Sequence, residues 1–124
     1  MHSDPLQAYI AVEKNTLSGR ETEARILTQA ALMLKECQRK WDAQDRKERL
    51  DEALRFNQRI WSIFQTELVK EDNPLPKKLK IDLLRLSGFV DKCIFEIQAH
   101  PAQEKLTIII EINNNIATGL RSRI

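Results

Sequence analysis

Glycine and proline are scarce, three and four residues among 124. The material for many tight turns is therefore missing, and the composition is that of a helical protein. Cysteine is limited to Cys37 and Cys93, which lie far apart and form no Cys-x-x-Cys spacing. That excludes a disulfide framework and a structural zinc site. Both fall in apolar helical segments and read as reduced core residues. The two histidines are His2, near the start, and His100, just before Pro101; neither has a Cys, Asp or Glu at metal-ligand spacing. No glycine-rich phosphate loop occurs. No apolar run approaches the eighteen or so residues needed to cross a bilayer, and the start lacks the charged and apolar regions of a signal peptide. The expectation is a cytoplasmic chain with no membrane segment, metal or cofactor.

Charge of one sign is also lacking. The formal net charge is +2, and it is spread evenly over the two halves of the chain. A duplex-binding module shows a basic stripe. Here the nearest approach to one is Lys77, Lys78 and Lys80 at a helix start, which reads as a solvated face. Direct binding of nucleic acid is not favoured. Paired carboxylates such as Glu21/Glu23 and Asp51/Glu52 sit in charged helical surroundings, where solvation outweighs acid–base work. No enzyme is expected. With 42% apolar and 31% charged residues, the chain suits one soluble domain, 1–124, large enough to bury a core.

What is present is helical periodicity. Asp4-Pro5-Leu6-Gln7 is a helix start, with Asp4 as N-cap and Pro5 at the first position. It opens a short arm over 1–17 whose apolar residues include Leu6, Tyr9 and Ile10. Ser18-Gly19-Arg20-Glu21 is a capping box beginning a helix that carries Ala24, Leu27, Ala31, Leu34 and Trp41. A polar connection precedes a third helix from about Lys47 to Val69, which would span roughly 35 Å. Asp72-Asn73-Pro74-Leu75-Pro76 breaks the chain, because prolines and the residues before them resist helix. A fourth helix follows to about Gln98, with the stripe Leu79, Leu83, Leu86, Val90, Cys93, Ile97, widened by Phe89 and Ile94. His100-Pro101 ends it. The run Thr107 to Ile112 could be a strand by propensity, but helical spacing continues through it and no second strand is available to pair. Gly119 either stops this last helix or admits a close neighbour. The fold class is all-α: a single-domain, mostly antiparallel bundle of four long helices over 18–124, plus the short N-terminal helix.

Two asparagines interrupt the apolar stripes. Asn57 lies within Leu50, Leu54, Asn57, Trp61, Phe64, Leu68, and Asn113 within Leu106, Ile109, Asn113, Ile116, Leu120. A buried amide without partners costs about 1–3 kcal/mol. Each asparagine therefore locks the register of a core or awaits something that docks. Trp61, Phe64, Ile116 and Leu120 are candidates for the same choice, as core or as the lining of a groove for a partner helix. Tyr9 on the arm joins them as a candidate contact.

Specific segments occur in order: Ala53-Leu54-Arg55-Phe56-Asn57-Gln58-Arg59-Ile60-Trp61, then Asn73-Pro74-Leu75-Pro76, then Phe89-Val90-Asp91-Lys92, then Ile112-Asn113-Asn114-Asn115-Ile116-Ala117-Thr118-Gly119-Leu120. With Ala8-Tyr9 and Arg20-Glu21-x-Glu23-Ala24 at the front, the chain resembles the FlaF family of flagellar biosynthesis regulatory proteins of alphaproteobacteria over nearly its whole length. The resemblance implies a small cytoplasmic helical protein that promotes flagellin synthesis and secretion, by binding flagellin as an export chaperone. It also implies work with, and in opposition to, FlbT, which restrains flagellin synthesis after transcription.

Two other readings stand beside the flagellin-binding one. The chain could act on flagellin messenger RNA, alone or through FlbT, in which case binding would weaken steeply with salt. Or its stripes could bury one another in a homodimer, which light scattering at several concentrations would reveal.

Overall fold

The computed structural model describes residues 19–122, and all its regular structure is helical. The expected N-terminal helix, with Tyr9, lies outside the described residues. Helix α1 spans Gly19–Arg39, α2 Arg46–Leu68, α3 Lys77–Ala99 and α4 Leu106–Ser122, with a 3-10 turn at Gln103–Lys105 leading into α4. The sequence signals place these ends within one or two residues. The isoleucine-rich segment from Ile108 to Ile112 is helix, as the spacing rather than the β-propensity dictates. Gly119 does neither thing expected of it: α4 runs through it to Ser122, its face is exposed, and an added Cβ would meet nothing within 4 Å. The regular backbone of the preceding turns carries it in helix despite its propensity.

The helices pack in sequence neighbours and one closing pair. α1 and α4 lie along one another over most of their lengths. Ala24, Ala30 and Ala31 on α1 are buried, and such small residues permit close approach. Two sets of bonds fix this pair as antiparallel. At one end Gln38 Nε2 donates to Thr107 Oγ1 at 2.8 Å and Gln103 Nε2 donates to the Gln38 carbonyl at 2.6 Å. At the other end Arg121 Nη1 reaches Thr28 Oγ1 at 3.3 Å, and its Nε lies 3.7 Å from Glu21. α2 packs on α1 and α3, and the backbones of α3 and α4 approach closely at only a few residues.

A polar clasp holds α3 to α2. Gln65 Nε2 donates to Ser87 Oγ and to Asp91 Oδ2, the latter at 3.1 Å. The break between these helices is organised by Asn73, whose Nδ2 donates to the Glu67 carbonyl at 3.0 Å while its Oδ1 accepts from the Leu75 backbone N–H at 3.1 Å. One side chain thus adds a second donor to the Glu67 carbonyl, which also accepts from the Lys70 backbone N–H at 3.3 Å, and forms an Asx turn. We call this the upper end of the bundle; it also holds the start of α1 and the end of α4. The connections near residues 40–45 and 100–105 form the lower end.

The core is made by Leu27, Leu34, Leu54, Ile60, Trp61, Ile94, Ile97, Leu106 and Ile109, each at most 1% exposed. Cys37 belongs to it, and Cys93 is only half-buried. Burial raises both thiol pKa values above the usual range. Phe89, read from the sequence as widening the core stripe of its helix, is instead 47% exposed. Trp41 is half-buried at the lower end, with the Arg46 guanidinium 4.6 Å above its ring.

Candidate functional site

The stripes of α2 and α4 meet in a relay of amides. Asn57 Nδ2 donates to the Ala53 carbonyl one turn back, at 2.8 Å, and to the Ala30 carbonyl of α1, at 3.3 Å. Asn57 Oδ1 accepts from Asn113 Nδ2 at 2.6 Å, and Asn113 Oδ1 accepts from Trp61 Nε1 at 3.0 Å. Both asparagines are fully buried and Trp61 nearly so. The relay therefore ties α1, α2 and α4 through three side chains that bond to one another and to the Ala30 and Ala53 carbonyls. Such an arrangement fixes register, since sliding any helix by one residue would strand several polar atoms in an apolar interior. Asn57 and Asn113 face each other, not the surface.

Above the relay the other candidates come together. Trp61, Phe64 and Leu68 of α2, Leu27 of α1, Leu83 of α3, and Ile116 and Leu120 of α4 line a groove of about 450 Å³ at the upper end. The 72–76 break closes one side through Asn73, Pro74 and Leu75, and Arg20, Glu23 and Glu67 stand at its rim. Phe64 meets Trp61 edge to face, ring centroids 5.9 Å apart, so the buried indole that ends the relay supports the half-buried ring of the groove floor. The groove is mainly apolar and large enough for several side chains of a docked segment. Its lining holds no cluster of His, Cys, Asp or Glu that could bind a metal, and none occurs among the described residues.

Four of the candidate residues named from sequence, Trp61, Phe64, Ile116 and Leu120, thus share one groove, and two, Asn57 and Asn113, lie beneath it. Tyr9 lies outside the described residues. Leu27, Leu83 and the Asn73-Pro74-Leu75 wall were not foreseen as lining. The Asn-Pro pair was legible as a break, but nothing local says that a break will wall a groove. The Gln65–Ser87–Asp91 clasp was also missed. Its only sequence signal is that Ser87 and Asp91 stand four apart on one face of α3.

The described residues form an all-helical protein with a buried register lock and an apolar groove at one end. The particular family is now plain: the chain belongs to the flagellar protein FlaF family, whose model matches residues 5–120. No curated protein and no solved structure matches it. Among the described residues no helix is long and apolar enough to cross a membrane.

Proposed function

We propose that this flagellar protein is a non-enzymatic, cytoplasmic regulator that promotes flagellin synthesis and secretion by binding flagellin as an export chaperone. One observation carries the reading: a family member of flagellar type holds an apolar groove of about 450 Å³ open at one end of its bundle. Flagellin ends in long amphipathic helices that stay unpaired until the filament assembles, and apolar surface of that kind aggregates when exposed. The groove offers such a helix a floor of Phe64, backed by the buried Trp61, and walls of Leu83, Ile116 and Leu120, into which side chains at i, i+3/i+4 and i+7 would insert. Asn57 and Asn113 do not touch the guest in this reading; they hold the floor in place. FlbT is then a second partner that competes for, or acts beside, the flagellin-bound form.

Titration of this protein with cognate flagellin in a calorimeter tests the proposal. Leu120→Asp is expected to weaken binding by about thirtyfold, the effect of losing one interface anchor, with the far-UV circular dichroism unchanged. Affinity should move little between low and moderate salt. Absence of flagellin binding would overturn the reading. Tight RNA binding with a steep salt slope, unaffected by Leu120→Asp, would replace it with action on the messenger.

A further inference from the structure

Gly19, the first described residue of the bundle, lines the upper groove, and Arg20 and Glu23 follow it along the rim. The chain that precedes α1 therefore enters the protein at the edge of its apolar groove. That stretch carries Leu6, Tyr9 and Ile10, at the i, i+3, i+4 spacing that shares one face of a helix. A helix over 5–17 would be marginal alone in water and would gain its stability by docking. The family model begins at residue 5 and ends at residue 120. The unit common to the family thus includes this stretch together with the groove residue Leu120.

We infer that the upper groove is the seat of this chain's own residues 5–17, with Leu6, Tyr9 and Ile10 against Phe64, Leu83 and Leu120, and that a guest must displace them. The inference rests on reading the groove as a binding site, and it adds the regulation of that site. Apolar area is left for the arm to cover, since Phe64, Leu83, Ile116 and Leu120 are each only half-buried. Reach permits the docking. The nine residue steps from Ile10 to Gly19 span at most roughly 30 Å when extended, and Gly19 itself borders the groove. Tethering favours the arm over a free guest or a second copy. A segment on a short linker meets its site at an effective concentration in the millimolar range, so modest apolar contacts suffice to keep it seated.

Tyr9 is the only tyrosine of the chain, so fluorotyrosine incorporated into the full-length protein gives a single fluorine resonance that reports the arm. That resonance is expected away from its position in the urea-unfolded chain, with nuclear Overhauser contacts from the Tyr9 ring to the methyls of Leu83 and Leu120. Leu120→Asp, and separately Leu83→Asp, should return it to the unfolded position while far-UV circular dichroism stays unchanged. Added cognate flagellin should do the same. Leu6→Asp combined with Ile10→Asp should raise the affinity for flagellin about tenfold, because an arm seated about nine-tenths of the time lowers the apparent affinity by that factor. Misfolding cannot produce such a gain. A Tyr9 resonance at the unfolded position in the unmodified sequence would overturn the inference and leave flagellin binding untouched. A shift that depends on protein concentration would overturn it too, by placing the arm on a second copy. Flagellin affinity unchanged or weakened by the arm variant would remove the competition. A seated Tyr9 released by Leu120→Asp, in a protein with no affinity for flagellin, would keep the arm in its groove and sink the flagellin reading.

Discussion

Helices α1 and α3 are almost the same length, 21 and 23 residues, yet they sit in the protein in opposite ways. α1 buries eight side chains, including Thr22, three alanines, Leu27 and Leu34, and is gripped along its length by α4 and flanked by α2. α3 buries only Ser87, Val90, Ile94 and Ile97, and leaves Ile81, Phe89 and Phe95 exposed, the last at 73%. The difference begins with side-chain volume. Small residues on α1 let α4 close up, whereas Leu83 and Leu86 of α3 stay half-buried, as do Ile112, Ile116 and Leu120 of α4. By burial alone, α1 is the more firmly held of the two and α3 the looser.

The strongest way to break that division is to attack the relay that locks its stable side. Asn113→Ala removes the acceptor of the buried Trp61 N–H and the donor to Asn57 Oδ1 at once, and is expected to cost about 2–4 kcal/mol in urea unfolding. That is a large share of the roughly 5–15 kcal/mol available to a domain. Asn57→Ala should cost a similar amount, and the double variant should cost less than the sum, because each single change already strands its partner. A loss under about 1 kcal/mol for Asn113→Ala would show that the relay is not what holds the three helices in register.

A smaller effect should separate the two regions directly. Gln65→Ala cuts the clasp to Ser87 and Asp91, the polar tie between α3 and α2, and should lower global stability by only about 1 kcal/mol. Its signature lies in hydrogen exchange. Amides of α3 should lose protection while those of α1 and α4 keep theirs, since local opening of α3 need not disturb the α1–α4 pair. Uniform loss of protection across all four helices would mean that α3 belongs to the same cooperative unit, and the contrast with α1 would fall.

Much of the architecture was legible because helix periodicity is a local property. The stripes of all four helices, the 72–76 break and the odd position of the two asparagines can be read without knowing what faces what. The fate of those asparagines could not, because pairing across 56 residues depends on which helices become neighbours. The α3 stripe was as regular in the sequence as that of α1, yet Leu83, Leu86 and Cys93 remain half-buried. Periodicity reports which face is apolar, and not whether another helix covers it. For the candidate site this decided the outcome. Trp61, Phe64, Ile116 and Leu120 were visible as apolar positions, but the groove is built where four helices and the 73–75 break come together, which no local pattern reports.

The finest test of the comparison lies at Gly88, in the middle of α3. Its backbone is ordinary, since no described glycine has a positive φ. Its face is exposed, and a Cβ there would meet nothing within 4 Å. Gly88→Ala should therefore stabilise α3 by up to about 1 kcal/mol, through helix propensity alone. The same change at Gly119, near the end of α4, should give less because helix ends fray. If α3 is the looser region, the Gly88 variant should raise protection of α3 amides more than it raises the global unfolding free energy. If α3 opens only with the whole molecule, both should rise together. A destabilising result at Gly88 would mean that the space beside its Cα is filled in solution, and the exposed face assigned to this part of α3 would be wrong.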